Sequence, residues 1–375
     1  MKKNMVVLFV WIAIAGPLFL LCDGMITYLY YGHIENETVS LEKAYRVKSS
    51  IYDHGLRPSF HGKLLWGSVR KYDVYTNNLG MKDSRIRNVT LKEGNKKRIL
   101  FIGDSFTEGV GLPWEKTFVG QFAKEHPEIE VLNAGVSSYA PSVYYRKIKY
   151  LIGEKGLQVD KVVVFIDISD IQDEVYYRND KLGNVILEHP PTHESTKDAA
   201  ITFLRKHFYL TYSACRGISK GIKTVVGLVI PKERSRRVFN LPRGAWTLKD
   251  RPAWKGVNQY YLPLGIDGAI AKAKAQMSNL YKFLASKNIP LSVAVYPWPT
   301  QLYYNDENSL QVRIWKDWCD GKCSHFINLF PDFFNVKKSR HDWYKYLFLN
   351  GDVHYNENGH RIIAERLAKV FGDTK

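Results

Sequence analysis

The stretch ILFIGDSFTEGVGLP, residues 99–113, decides how the sequence is interpreted. Its opening apolar residues stop at a glycine, an acid and a serine follow, and a helix is predicted to begin just after them. In one interpretation Asp104 or Ser105 caps that helix by accepting its free N–H groups. In the other, Ser105 is a nucleophile at the carboxyl edge of a parallel sheet, where open α/β folds bind ligands. The stretch alone allows both interpretations.

Predicted strands alternate with predicted helices around this stretch. The strands are Arg98–Gly103, Ile129–Asn133, Lys161–Ile166, Leu291–Tyr296 and His325–Leu329. The helices are Glu115–Glu125, Pro141–Gly153, Ala269–Ser286, Leu310–Trp318 and Gly359–Phe371. The continuous apolar run KVVVFI is typical of a strand that is buried on both faces. The alternation therefore predicts an α/β fold in which helices cover both sides of a five-stranded parallel sheet.

The charge balance points to an anionic partner. The 375 residues include 54 basic and 37 acidic side chains, for a net charge of +17. Such a balance suits nucleic acid, a membrane surface or an acidic polymer. The basic residues are scattered and form no known nucleic-acid-binding module. We therefore expect no nucleic acid partner.

The N-terminal segment is predicted to be a membrane anchor. Residues 5–22 carry no charge, and this length is close to what a bilayer requires. Lys2 and Lys3 come before them, which favours a cytoplasmic N-terminus. A cleaved signal peptide is the alternative, because Ala13 and Ala15 resemble a cleavage site. We expect an uncleaved transmembrane helix within residues 1–32, a cell-membrane location and an extracytoplasmic main domain.

Three further parts of the chain are distinguished by composition. Residues 33–95 are mixed and polar, and are interpreted as a stem and N-terminal extension. Residues 96–375 form the predicted α/β domain. Within it, residues 175–265 break the alternation, and this insertion is either a solvated surface excursion or a lid beside the site.

Two cysteines lie close together in the motif WCDGKC. Cys319 and Cys323 are near enough to close a small loop, and disulfides persist in exported domains. A zinc site would need more ligands, and His325 is the one candidate nearby. We therefore predict a disulfide here.

The C-terminal part supplies partners for a serine nucleophile, which needs a base, an orienting acid and donors for an oxyanion. His354 lies in a polar turn before the last helix, and Asp352 is placed to hold its tautomer. The alternative is an ordinary polar turn. The backbone N–H groups of Ser105 and Gly135 are the candidate oxyanion donors, since glycine lets the backbone approach a ligand.

Together these motifs resemble the SGNH (GDSL-type) hydrolase superfamily over roughly residues 95–175 and 265–372. Gly103–Ser105 resembles the block that carries the nucleophile, and Gly135 resembles the glycine of the second block. The resemblance implies a flavodoxin-like three-layer α/β/α fold. It also implies attack on esters or acyl transfer to a hydroxyl, with no metal and no organic cofactor.

Two blocks depart from the common family pattern. The third block normally reads Gly-x-Asn-Asp, whereas residues 167–170 read Asp-Ile-Ser-Asp. Ser169 takes the place of the asparagine donor to the oxyanion, and its shorter side chain predicts a weak contribution. The last block, which holds Asp352 and His354, reads Asp-x-His. This variant resembles polysaccharide O-acetyltransferase members of the superfamily.

The resemblance implies a serine-dependent ester hydrolase that acts on O-acyl esters, in particular acetyl esters, of a cell-surface glycan. One alternative is an O-acetyltransferase that works beside a membrane acyl-donor protein. The second alternative is a non-catalytic glycan-binding or assembly protein with the same fold, since fold alone does not choose among these functions.

Overall fold

The computed structural model describes residues 2–31, 41–66, 70–92, 94–188, 203–204, 207–214, 239, 242–248 and 257–372. Most of the predicted insertion 175–265 therefore lies outside the described residues. The chain divides into two compact units. The smaller unit consists of Met1–Glu42 and Pro190–Arg234, and the larger of Lys43–His189 and Ser235–Lys375.

The smaller unit contains helix α1, Lys2–Ile26. Near its end the buried carboxylate of Asp23 accepts hydrogen bonds from the hydroxyls of Thr27 and Thr211, at 3.1 and 2.6 Å. It also accepts bonds from the backbone N–H groups of Leu210 and Thr211. A transmembrane helix was predicted within residues 1–32. Among the residues that the structure describes, no helix is long and apolar enough to cross a membrane.

The larger unit is built on a sheet of eight strands, not the predicted five. The twelve described strands are β1 Arg46–Ser49, β2 Asp53–Leu56, β3 His61–Trp66, β4 Arg70–Thr76, β5 Lys82–Asp83, β6 Lys97–Ile102, β7 Ile129–Asn133, β8 Lys161–Ile166, β9 Tyr177–Asn179, β10 Val185–Leu187, β11 Leu291–Val295 and β12 His325–Asn328. The order in the large sheet is β12-β11-β8-β6-β7-β5-β4-β3, and β1–β2 and β9–β10 form separate antiparallel pairs.

The five predicted strands form the parallel part of this sheet. Numbered along the chain, they lie in the order 2-1-3-4-5, which is the flavodoxin-like order. The predicted bounds of β7 and β8 are confirmed, and residues 162–166 of β8 are fully buried. A continuous apolar run was therefore a sufficient signal for a central strand.

The three additional strands, β3 to β5, pair antiparallel and come from the predicted N-terminal extension. In β4 the buried Tyr72 and Val74 alternate with the exposed Lys71 and Asp73. This period of two is typical of an antiparallel strand with one solvated face. Turn residues are abundant around these short strands, so this segment was predicted to be a stem. The predicted sheet of five strands therefore lacked these three.

Helices cover the sheet on both faces. The helices of the larger unit are α2 Ser105–Glu108, α3 Phe118–Glu125, α4 Pro141–Ile148, α5 Asp170–Tyr176, α6 Gly265–Ala285, α7 Pro299–Tyr303, α8 Leu310–Cys319, α9 Phe330–Ser339, α10 Trp343–Leu347 and α11 Glu357–Phe371. Helix α3 packs against α11, whereas α4 and α5 pack against α6. Right-handed crossovers place these two groups on opposite faces. The predicted helix Glu115–Glu125 is interrupted, because the side chain of Thr117 accepts from the Gly120 N–H and starts α3 there.

The chain reverses its direction of winding at β6. It passes from β6 to β7 on one side and then returns across β6 to β8 on the other. In open α/β sheets, ligands bind outside the carboxyl ends of the strands at such a reversal. Residues 103–108 leave the end of β6 and residues 167–170 leave the end of β8. The candidate site is therefore expected between these two segments.

Candidate active site

The turn from β6 into α2 contains Gly103, Asp104 and Ser105, for which a helix cap and a nucleophile were the two interpretations. A side chain at Gly103 is excluded, because a Cβ atom there would lie 2.2 Å from the Thr107 hydroxyl and 2.9 Å from the Phe165 carbonyl oxygen. The Asp104 carboxylate caps α2 by accepting from the Phe106 N–H at 3.0 Å. Ser105 is the first residue of α2 and is 8% exposed. Capping is thus done by Asp104 Oδ1, and the Ser105 hydroxyl lies 3.1 Å from the other oxygen of that carboxylate, Oδ2.

The structure brings Ser105, His354 and Asp352 into one chain of hydrogen bonds. Ser105 Oγ lies 2.8 Å from His354 Nε2. His354 Nδ1 lies 2.7 Å from Asp352 Oδ1. With Nδ1 protonated towards the carboxylate, Nε2 presents its lone pair to the serine hydroxyl. This is the arrangement in which an imidazole removes a proton from a nucleophile.

The carboxylate of Asp352 is kept ionised by its neighbours. Burial raises its pKa, but this effect is outweighed by the hydrogen bond and charge of His354 and by the indole N–H of Trp66. Together they lower the pKa of Asp352 to about 2. The acid is therefore negatively charged at neutral pH, as a group that orients and stabilises an imidazolium must be.

Trp66 belongs to the candidate site by its contacts, and the sequence did not reveal it. Its Nε1–H donates to Asp352 Oδ2 at 2.6 Å, and its ring meets the His354 ring edge-on with centroids 5.0 Å apart. The ring of Phe106 lies 4.8 Å from the same imidazole. Trp66 ends β3, 286 residues before Asp352, and no local pattern marks it. The N-terminal extension therefore contributes directly to the site.

Trp66→Phe is expected to lower kcat by about 10-fold while keeping the ring that packs on His354. A net hydrogen bond to a charged group contributes roughly 1.5–3 kcal/mol, which is the order of such a loss. The measurement is the steady-state rate on an acetyl ester. Trp318→Phe is the matched control, because that indole N–H donates to Ser278 at 3.0 Å in another part of the fold. Equal rates for both variants would contradict a role for the Trp66 N–H.

Gly135 does not present its N–H to Ser105. That N–H donates to the side-chain oxygen of Asn133 at 3.0 Å. A Cβ atom at Gly135 would lie 2.7 Å from the Thr107 Cβ and 2.9 Å from the Glu108 nitrogen. The glycine is therefore required by close packing against α2. The prediction that Gly135 is an oxyanion donor is corrected for this reason.

Ser138, three residues later, has the features expected of a donor. It is exposed and its φ angle is +65°, a conformation that glycine adopts far more easily. Within the described part of the chain its N–H has no hydrogen-bond acceptor. The sequence does not mark Ser138 as a donor, because glycine is the usual signal for close approach of the backbone to a ligand, and Ser138 adopts a positive φ angle without being glycine.

Ser169 is buried and its hydroxyl is already engaged. Ser169 Oγ donates to Asp167 Oδ1 at 2.7 Å, and the Ser169 N–H donates to the same oxygen at 2.6 Å. The side chain is 2% exposed. The predicted role of Ser169 as a third oxyanion donor is therefore not seen in the structure, because the charge of Asp167 holds the hydroxyl proton.

Ser169→Ala is consequently expected to reduce kcat by well under about 100-fold, short of the roughly 10²–10³-fold loss that follows removal of a full oxyanion donor. The Ser169 N–H still binds Asp167 in this variant, so the turn is retained. The measurement is kcat of Ser169→Ala and of the unaltered protein on the same acetyl ester. A thousand-fold loss would show that Ser169 leaves Asp167 and donates to the oxyanion during catalysis.

Three buried carboxyl groups meet behind the nucleophile. One oxygen from each of Asp104, Asp167 and Asp170 lies within 4.8 Å of the others. Burial and the charge of Asp167 raise the pKa of Asp104 and of Asp170 well above the usual range. Asp170 Oδ1 has no hydrogen-bond partner within the described residues. A protonated carboxyl group suits this environment.

Among the described residues, these three carboxyl groups are the one set of side chains close enough together to hold a metal ion. Asp167 Oδ1 accepts from Ser169 and from the Asp170 N–H. Its Oδ2 accepts from the Trp298 indole at 2.7 Å. Protein donors therefore occupy both oxygens that Asp167 would offer to a cation.

A cavity of about 680 Å³ is lined by none of Ser105, His354, Asp352 and Trp66. It lies between β4, the loop that follows α2 and the start of α11. Gly111 in its wall packs against Trp66, since a Cβ atom at Gly111 would lie 3.1 Å from the Trp66 Cδ1 atom.

Cys319 and Cys323 are joined by a disulfide in the structure, with sulfur atoms 2.08 Å apart. The bond closes the loop between α8 and β12. His325 is not involved and pairs with the Ser324 hydroxyl at 3.4 Å. The two cysteines therefore contribute to this loop and not to the candidate site.

The chain is structurally similar to known esterases and lipolytic proteins. A catalytic variant of an acetylxylan esterase from Geobacillus stearothermophilus aligns over 74% of this chain and 95% of its own, with 14% identity and a TM-score of 0.41. For a lipolytic protein of the G-D-S-L family from Desulfitobacterium hafniense, the coverages are 74% and 100%, the identity 12% and the TM-score 0.39. An esterase from a Pseudoalteromonas species aligns over 73% and 96%, with 12% identity and a TM-score of 0.36.

Comparison of the sequence gives no further relatives. No protein-family model matches the chain, and no curated protein matches it. At these identities and TM-scores the structural similarity carries no conclusion about activity.

Proposed function

We propose that this protein is a serine-dependent ester hydrolase of the SGNH type that acts on O-acetyl esters of a glycan. The observation that carries the proposal is the unbroken chain of hydrogen bonds from Ser105 through His354 to Asp352, with lengths of 2.8 and 2.7 Å. A base within hydrogen-bond reach of the nucleophile, itself oriented by an acid, is the signature of nucleophilic catalysis.

The geometry supports a two-step reaction. Ser105 Oγ attacks the ester carbonyl carbon while His354 Nε2 takes the hydroxyl proton. When the tetrahedral intermediate collapses, the C–O bond to the sugar breaks and His354 returns the proton to the departing alcohol. Water then attacks the acetyl-serine, His354 takes a proton from that water, and acetate leaves as the proton passes back to Ser105. Asp352 keeps the imidazole oriented in both steps.

Two backbone N–H groups are proposed as the oxyanion donors. The Ser105 N–H lies at the open first turn of α2, where N–H groups lack helical acceptors. The Ser138 N–H belongs to the loop after β7, which borders the same edge of the sheet. Each donor aimed at the developing charge contributes roughly 10²–10³-fold to kcat.

The glycan part of the proposal rests on one feature of the sequence. The Asp-x-His spacing of Asp352 and His354 resembles that of members that modify polysaccharides.

The test is the mass of the intact full-length protein after mixing with p-nitrophenyl acetate. An acetyl adduct that maps to Ser105 and is absent from Ser105→Ala supports an acyl-enzyme. Neither adduct nor product would favour the non-catalytic binding protein. If addition of a sugar acceptor yields acetylated sugar in place of acetate, the protein is an O-acetyltransferase and the proposal of hydrolysis is overturned.

A further inference from the structure

Three side chains from different elements hold the loop at Ser137 and Ser138. The Ser137 N–H donates to Glu108 Oε2 at 2.8 Å. The Ser137 carbonyl oxygen lies 2.9 Å from His54 Nε2, and the Ser138 carbonyl oxygen accepts from the Tyr177 hydroxyl at 2.6 Å. Of the four backbone polar groups of these two serines, the Ser138 N–H is left without an acceptor among the described residues.

The contact with His54 sets the direction of that remaining N–H. The Ser137 carbonyl and the Ser138 N–H belong to one peptide group, and in a planar trans peptide they point in opposite directions. Because His54 fixes the carbonyl on one side, the N–H must point to the other. The φ angle of +65° at Ser138 costs energy for a residue with a side chain, and such a conformation persists only where its surroundings hold it.

His54 is itself oriented by a carboxylate. His54 Nδ1 lies 2.6 Å from Asp53 Oδ2, while Nε2 faces the Ser137 carbonyl. Both ring nitrogens therefore lie within hydrogen-bond distance of an oxygen atom. Asp53 is anchored in turn, because its Oδ1 accepts from the Leu187 N–H at 2.9 Å. Burial raises the pKa of Asp53, but its hydrogen bonds and the charge of His54 lower it overall.

Charged groups on several elements surround this pair. Lys48 lies directly across from His54 in the β1–β2 register. Burial raises the pKa of Asp173 of α5 to about 6, although the charges of Arg243 and, to a smaller extent, His54 act to lower it. The Tyr139 ring meets the His54 imidazole edge-on, with ring centroids 5.0 Å apart, and the Tyr139 hydroxyl donates to the His54 carbonyl oxygen. His54 is thus held on several sides in a single orientation.

We infer that His54, oriented by Asp53, is a positioning residue that turns the Ser137–Ser138 peptide so that the Ser138 N–H faces the oxyanion formed at Ser105. This inference rests on the proposed function. It assigns a catalytic purpose to a histidine of the N-terminal extension that lies outside every motif found in the sequence. His54 does not touch the reacting atoms and acts through the peptide group.

Two amide substitutions separate the contacts of His54. In His54→Asn the short amide places a nitrogen near the position of Nδ1, so the contact with Asp53 is retained and the contact with Ser137 is lost. In His54→Gln the longer amide reaches the Ser137 carbonyl, as Nε2 does. His126→Asn is the matched control, since His126 also pairs with a carboxylate, that of Glu128 at 3.1 Å, on the loop between α3 and β7.

The three variants are compared by kcat and KM on an acetyl ester and by their affinity for a boronic acid that forms a tetrahedral adduct. We expect His54→Asn to lose about 10- to 100-fold in kcat, a part of the loss for a full oxyanion donor, with an unchanged KM. Its affinity for the boronic acid should fall by the same factor. His54→Gln should stay within about 3-fold of the unaltered enzyme, as a retained donor requires.

Equal kcat values for His54→Asn and His54→Gln would overturn the inference, and so would a His54→Asn variant as active as His126→Asn. If His54→Asn does not fold, as judged by thermal unfolding, His54→Gln decides by itself, and a loss of more than about 10-fold in that variant overturns the inference. Absence of any acetyl adduct on Ser105 in the unaltered protein would instead refute the proposed function. The two failures are therefore distinguishable.

Discussion

Ser105→Ala is expected to lower kcat for ester hydrolysis by about 10⁴-fold or more, because no other described group can take the place of the hydroxyl in the acyl-enzyme. The fold should be retained. Asp104, and not Ser105, caps α2, and alanine is a favourable residue in a first helical turn. The contacts that disappear are those of Ser105 Oγ with His354 Nε2 at 2.8 Å and with Asp104 Oδ2 at 3.1 Å. The measurement is the initial rate on an acetyl ester, together with the thermal unfolding midpoint.

Ser286→Ala is a suitable control for this variant. Its hydroxyl donates to the Phe283 carbonyl at the end of α6 and takes no part in the site. The control should have the rate of the unaltered protein. If Ser105→Ala and His354→Ala both remained active, the hydrogen-bonded chain would not be the catalytic group, and the proposed function would be wrong.

Asp352→Asn is expected to lower kcat by up to about 10⁴-fold, as for the equivalent acid of serine proteases. An asparagine amide can donate a hydrogen bond to Nδ1, which favours the tautomer whose proton lies on Nε2. That tautomer has no lone pair for the Ser105 hydroxyl. The loss should appear in kcat, with KM little changed, because Asp352 contacts the imidazole and not the substrate.

The same substitution separates catalysis from a structural role of the turn. Asp352 Oδ1 also accepts the His354 backbone N–H at 3.2 Å, and the asparagine oxygen can still accept it. A loss of only a few-fold would therefore mean that Asp352 shapes the turn and does not set the tautomer. Asp332→Asn serves as the control, because that carboxylate pairs with Arg366 between α9 and α11.

The parallel core and the three residues of the proposed triad were accessible from the sequence. The apolar run KVVVFI located β8, because a strand buried on both faces is apolar along most of its length. The carboxyl ends of parallel strands meet at one edge, so a serine after β6 was expected near polar groups that follow later strands. Asp352 and His354 are only two residues apart, so their pairing is recognisable from the sequence.

Other features of the site depended on the tertiary structure. Trp66 and His54 act across 286 and 83 residues of sequence, and no periodicity connects a side chain with a partner at such a distance. The direction of the Ser138 N–H is set by side chains that hold its neighbouring carbonyl. Two predicted oxyanion donors are also occupied by neighbouring side chains. The Gly135 N–H donates to the side chain of Asn133, and the Ser169 hydroxyl donates to the side chain of Asp167. A sequence determines which donors the chain carries, whereas their free or occupied state is decided by the neighbours that folding brings to them.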